Sequence, residues 1–168
     1  MTRRDWLAPA VIGIIILLAA LLWLAPHGLS KAPAVSFKLL DGNEYPLADW
    51  HGKPVLVTFW ATDCPGCIRE IPHLIELYEE FNNRGFQIVA VAMSYDPPNR
   101  VVEFNRRREL PYYIALDIDG RIAQAFGNVM LTPTTFLIAP DGRIVTHKIG
   151  EFDTDNMRQQ IAKLLQQT

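Results

Sequence analysis

Residues 54–60, PVLVTFW, are an almost unbroken apolar run rich in β-branched and aromatic side chains, introduced by Gly52 and Lys53. Such a run reads as a strand covered on both faces, which requires layers of chain above and below it. From Ile68 the pattern changes: Ile68, Ile71, Leu74, Ile75, Leu77, Tyr78 and Phe81 mark one broad face of a helix that stops at Asn82, Asn83 and Gly85. FQIVAVAMS then supplies a second buried strand. Residues 35–40, VSFKLL, predict a short strand before Asp41-Gly42, and Asp96-Pro97-Pro98-Asn99 breaks the chain. A helix over 100–109 ending before Pro111, a short strand YYIALD and a brief helix over 121–126 are expected next. TTFLIA, Asp141-Gly142 and RIVTHKIG predict a hairpin with a two-residue turn, and residues 154–166 an amphipathic closing helix. Strands alternating with helices and ending in a hairpin give an α/β fold with a central mixed sheet and helices on both faces.

The 168 residues suffice for one ordinary domain. Sixteen basic and eighteen acidic residues nearly balance, which argues against a nucleic-acid partner held through its phosphates. Arg106, Arg107 and Arg108 are consecutive, so they point around a helix as a solvated surface.

Ahead of the domain, residues 7–25 read LAPAVIGIIILLAALLWLA without a charge. A helix needs about 20 apolar residues to cross a bilayer. Arg3 and Arg4 precede the run and Lys31 is the next basic residue after it, so the N-terminus is expected in the cytoplasm and the domain outside it. KAPA at 31–34 has an A-x-A pattern suited to signal peptidase, but the apolar core exceeds the roughly 7–15 residues of a cleaved signal. A retained signal-anchor within residues 1–27 is therefore expected, followed by a linker over 28–34 and a globular domain over 35–168.

Both cysteines lie in WATDCPGC, between the first buried strand and the long helix. A structural zinc site needs four ligands, and four scattered histidines do not complete one. Covalent haem attachment needs a histidine where Ile68 stands. A disulfide closing so short a loop restricts the unfolded chain little, so a structural staple is a poor use of this spacing. The spacing suits exchange, with one thiol attacking and its neighbour resolving the mixed disulfide. Cys64 would lie beside the unpaired N–H groups and positive dipole end of the helix, which favour its thiolate. Pro65 fits the first helical turn, where its missing donor costs nothing. Cys64 is thus the expected nucleophile and Cys67 the resolving thiol.

GKPVLVTFWATDCPGCIREIP resembles the thioredoxin superfamily, and IREIP after the second cysteine is similar to the membrane-anchored TlpA/ResA-type branch of exported thiol-disulfide oxidoreductases. LTPTTFLIAPDGRI at 131–144 is the second anchor of that resemblance, where the family carries a cis proline before a strand. The resemblance implies a thioredoxin-like fold and no cofactor beyond a redox-active Cys64–Cys67 disulfide. It implies that Pro133, if cis, packs opposite the cysteines, that Thr132 offers its backbone to a substrate segment added like a strand, and that Trp60 is the aromatic residue beneath the site. It also implies that Glu70, three residues beyond Cys67 and on the same helical face, relays a proton to or from Cys67. Thr58 stands where cytosolic thioredoxins carry a buried acid, so that role is absent or passes to Glu70.

Asp63, where the family commonly has Trp, and the dipeptide Pro65-Gly66 depart from the pattern and tune the couple. A carboxylate beside Cys64 disfavours its thiolate and makes the pair more reducing, so a reductant is expected. The implied partners are a disulfide-containing exported protein, a membrane thiol-reducing electron donor and the bacterial inner membrane itself, with the domain in the periplasm or outside. Cytochrome c biogenesis and general thiol maintenance are the candidate pathways, although Thr134 replaces the acid that follows this proline in dedicated cytochrome-maturation members. A peroxiredoxin-type peroxidase would need a threonine and a proline where Ala61 and Val57 stand. A copper-delivery protein of similar fold would use a wider cysteine pair and a histidine.

Overall fold

The computed structural model describes residues 30–166. The membrane helix expected at residues 7–25 lies outside the described residues. Among the described residues, no helix is long and apolar enough to cross a membrane.

A five-stranded sheet organises the domain, built from β3 (Val55–Trp60), β4 (Gln87–Ala92), β5 (Tyr113–Leu116), β6 (Thr134–Ile138) and β7 (Ile144–Ile149) in the spatial order β5-β4-β3-β6-β7. β3, β4 and β5 run parallel, whereas β6 and β7 are antiparallel to their neighbours. This is the expected mixed sheet. β3 is its central strand, and all six of its residues are buried. Alternation of the side chains divides that burial between two cores. Leu56 and Trp60 face the core under α1 (Pro65–Phe81), α2 (Pro98–Arg108) and α4 (Thr154–Leu165), with Ile71, Leu74, Val101 and Ile161. Val55, Val57 and Phe59 face the opposite core with Phe136 and with Ile122 of α3 (Arg121–Ala125). Helices therefore cover both faces, and Phe59, Phe126 and Phe136 interlock there at centroid distances of 5.0–6.0 Å.

α1 owes its form to its stripe: Cys67, Glu70, Ile71, Leu74, Leu77 and Phe81 are the buried residues, at helical spacing. Seventeen residues run through Pro72 as one helix, and Gly85 at φ +98° turns the chain into β4.

Three local expectations change. The strand expected over 35–40 is shorter, β1 (Ser36–Lys38), and pairs with an unforeseen β2 (Glu44–Pro46) in a separate two-stranded sheet. The expected two-residue turn at Asp141-Gly142 is longer, because Pro140 has no N–H with which to close it. Ala139 N–H instead donates to the Arg143 carbonyl, Gly142 N–H donates to the Ala139 carbonyl, and Gly142 takes φ +83°. Residues of the expected linker are docked from Ser30 onward, since Ala32 N–H bonds Gly142 and Ile144 N–H bonds Ser30. The packed domain thus reaches back beyond residue 35.

Candidate functional site

The site follows from strand directions. β3 and β6 are antiparallel with Phe59 opposite Thr134, so the end of β3 meets the start of β6. Cys64, four residues after β3, and Pro133, one before β6, are thereby brought to the same edge.

The loop leaving β3 is pinned before it reaches the cysteines. The buried Asp96 carboxylate accepts from the Thr62 backbone N–H at 2.6 Å and from its hydroxyl at 2.8 Å. Cys64 N–H then bonds the Ala61 carbonyl, and Cys64 becomes the N-cap of α1 with extended backbone. Pro65 takes the first helical position, where no N–H is needed. Cys67 N–H donates to Cys64 Sγ at 3.2 Å, a contact that also favours negative charge on that sulfur. The two cysteines are joined as a disulfide with Cα atoms 5.3 Å apart. Cys64 is the more open, 9% exposed against 3% for Cys67.

The Thr132–Pro133 bond is cis. A Cβ on Gly66 would stand 3.2 Å from Pro133 Cδ, so the proline packs against the dipeptide between the cysteines, and the small residue there permits that approach. Thr132 is half-buried, with its hydroxyl 3.3 Å from the exposed Tyr95 hydroxyl.

Behind the disulfide lies a small enclosed pocket lined by Thr58, Trp60, Cys67, Glu70, Leu110 and Tyr112, among others. The Thr58 hydroxyl is bonded to Thr135 at 2.9 Å, in keeping with a packing role. Trp60 is buried against Phe104, and its indole Nε1 has no hydrogen-bond partner among the described residues. Glu70 is 2% exposed, and its Oε1 accepts from Phe152 N–H at 2.8 Å. Burial pushes its carboxyl up to about 7; the Phe152 N–H opposes the shift and the nearby Glu151 charge adds to it. Burial, with the Glu70 charge behind it, also holds the Tyr112 hydroxyl above the usual phenol range. Glu70 can thus change protonation near neutral pH at the wall of a pocket that Cys67 also lines.

Asp63 is exposed and stands at the outer limit of an ion pair with Arg100, 4.0 Å away, so solvent and that arginine both screen its charge from Cys64. The structure brings Cys64, Cys67, Glu70, Trp60, Pro65, Gly66, Thr132 and Pro133 together and leaves Asp63 at the rim. Sequence reasoning missed Asp96, Tyr112, Arg69, Glu151 and the Phe152 N–H. Asp96 alone carried a local signal, a carboxylate ahead of Pro97-Pro98 where the chain turns back over the β3 loop. Arg106 and Arg107 both pair with Glu103, while Arg108 lies over the Phe104 ring, as a surface face would. Among the described residues, no three His, Cys, Asp or Glu side chains converge to hold a metal ion.

Residues 29–165 match the Redoxin family. The chain is 33% identical over 135 residues to the thiol-disulfide oxidoreductase ResA of Geobacillus thermodenitrificans, covering 80% of this chain and 76% of that protein. It is 32% identical over 171 residues to the ResA of Halalkalibacterium halodurans, covering 97% and 96%. A thiol:disulfide interchange protein of the thioredoxin family from Chlorobium tepidum superposes with a TM-score of 0.75 at 25% identity, over 84% of this chain and 99% of that one. With a dithiol motif closed as a disulfide at the head of α1 and relatives of this kind along most of its length, the chain belongs to the Redoxin family, as a TlpA/ResA-like thiol-disulfide oxidoreductase of the thioredoxin superfamily.

Proposed function

We propose that the protein is an exported, membrane-tethered reductase of protein disulfides, held by residues 7–25 with its N-terminus in the cytoplasm and its domain on the periplasmic or outer side. The observation that carries the chemistry is the asymmetry of the pair. Cys64 is the more open sulfur, at a helix N-terminus with a backbone donor on it, and Cys67 lies inside beside a carboxyl that titrates near neutrality.

In the reduced enzyme the Cys64 thiolate attacks one sulfur of a substrate disulfide. The substrate S–S bond breaks, a mixed disulfide forms, and the departing sulfur leaves as a thiolate that takes a proton from water. Glu70 accepts the Cys67 proton, and the Cys67 thiolate attacks Cys64 Sγ, which closes the Cys64–Cys67 bond and expels the second substrate sulfur. That sulfur is protonated in turn through solvent, to which Glu70 gives up the Cys67 proton, so two electrons and two protons have passed to the substrate. A membrane dithiol donor then re-reduces the pair. Thr132, beside the cis Pro133, offers its backbone to the extended substrate segment.

Asp63 supports the reducing direction through its sign, and the pathway is cytochrome c biogenesis or periplasmic thiol maintenance. Expressing Cys67→Ser in cells tests both partner and place. The expected result is an exported protein cross-linked to Cys64 in the membrane fraction and released by reductant. Absence of any such adduct, or recovery of the protein in the soluble cytoplasm, would reject the proposal. A reduction potential near the strongly oxidising end, about −120 mV, would reject the direction.

A further inference from the structure

Three consecutive residues after β7 each reach a different part of the site. Gly150 N–H donates to the Pro133 carbonyl at 2.8 Å, Glu151 receives two hydrogen bonds from the Arg69 guanidinium, and Phe152 N–H donates to Glu70 at 2.8 Å. Arg69 and Glu70 are neighbours on α1, and Glu151 and Phe152 are neighbours on the loop. The two contacts are therefore adjacent rungs, each joining residues 82 apart in the chain. The same ion pair roofs the dipeptide between the cysteines, because the Cβ position of Gly66 lies 3.4 Å from Glu151 Oε1 and 3.7 Å from Arg69 Nη2.

An exposed ion pair by itself contributes little, since solvent screens it and two long side chains must be ordered. This one fixes a backbone segment whose next N–H is the donor to the buried carboxyl. We propose that Arg69 and Glu151 are positioning residues for Glu70, Arg69 by fixing the loop that presents the Phe152 N–H and Glu151 by setting the charge that the Glu70 carboxyl faces. The proposal rests on the reading of Glu70 as the proton relay.

Around Glu70, Cys67 and Tyr112 line the same pocket, Glu151 adds its charge from the position next to Phe152, and Arg69 and His73 on α1 act on Glu151. The Phe152 N–H favours the ionised carboxyl, and the Glu151 charge disfavours it. Glu151→Gln removes that charge while keeping an acceptor for Arg69, so Glu70 should give up its proton more readily. Arg69→Gln leaves the charge in place and frees the loop, which weakens the Phe152 bond, so Glu70 should hold its proton more tightly. The two variants thus loosen one ion pair yet move Glu70 in opposite directions. A mere tether predicts displacements of the same sign, or none.

The test is a carbon NMR titration of the Glu70 carboxyl in the oxidised, isotopically labelled full chain in detergent micelles, alongside the pH profile of disulfide exchange. The expected midpoint falls by a few tenths of a pH unit with Glu151→Gln and rises comparably with Arg69→Gln, about a twofold change in proton affinity each way. Shifts of one sign, or no shift, overturn the proposal. Opposite midpoint shifts with an unmoved exchange profile uphold the positioning and instead reject Glu70 as the relay.

Discussion

Replacing Glu70 with Gln isolates the cost of placing a carboxylate behind the disulfide. The folded protein holds the Glu70 proton until about pH 7, chiefly because burial penalises the ion, whereas the ordinary value is 4.5. Between those values the unfolded chain has released a proton that the folded chain retains. The unfolded state then binds fewer protons, so stability falls as pH rises through the window and levels off above about 7. At 1.36 kcal/mol per unit, the difference amounts to about 3 kcal/mol. Gln keeps an acceptor for the Phe152 N–H and cannot ionise, so the variant should lose this pH dependence. Thermal unfolding of the oxidised protein, followed by tryptophan fluorescence at pH 5 and pH 8, reads the effect through the buried Trp50 and Trp60. About 2.5 kcal/mol of that free-energy difference falls between pH 5 and pH 8, so at about 2–4 °C per kcal/mol the melting temperature of the variant relative to wild type should be about 5–10 °C higher at pH 8 than at pH 5. An unsatisfied Gln amide would shift both readings together and leave that difference intact. Wild-type and variant melting temperatures that run parallel from pH 5 to pH 8 would refute the argument that this carboxyl is buried at a cost.

Gly66→Ala puts a methyl 3.2 Å from Pro133 Cδ and 3.4 Å from Glu151 Oε1, so the cis-proline loop must give way; a stability loss of about 1 kcal/mol and slower exchange are expected from denaturant titration and insulin reduction. Asp96→Ala removes the acceptor of two Thr62 hydrogen bonds and should cost about 2 kcal/mol, read as a lower denaturant midpoint at unchanged slope, with Asp96→Asn recovering part of it. Asp63→Asn should make the couple less reducing, but by only about 10 mV against a glutathione buffer, because the carboxylate is exposed and lies near Arg100; a shift of about 60 mV or more would show that its charge reaches Cys64 unscreened.

These predictions draw unequally on what the chain displays. β3 and β4 were legible because burial on both faces leaves an unbroken apolar run, and α1 because its stripe has one period from Ile68 to Phe81. Cys64 and Cys67 were singled out by their spacing at the head of that helix, and Glu70 and Pro133 by the family resemblance around them. β2 was not legible, since a three-residue strand paired only with β1 has no periodicity to detect. The wrong hairpin turn came from weighing Asp141-Gly142 without the missing donor of Pro140.

The chemistry of Glu70 divides along the same line. Its burial is local information, because a residue three beyond Cys67 and four before Leu74 must share their face of the helix. Its acidity is not local. The donor that steadies it and the charge that opposes it arrive together on residues 151 and 152, and the aromatic hydroxyl behind it arrives on residue 112, all through the order in which the strands assemble. β7 must lie beside β6, and β6 beside β3, before Phe152 can reach the helix that follows β3. A sequence can therefore nominate this acid as a proton carrier, whereas the pH at which its carboxyl ionises depends on contacts made only when the sheet is complete. Changes at Arg69 or Glu151 should accordingly retune the enzyme with neither cysteine touched.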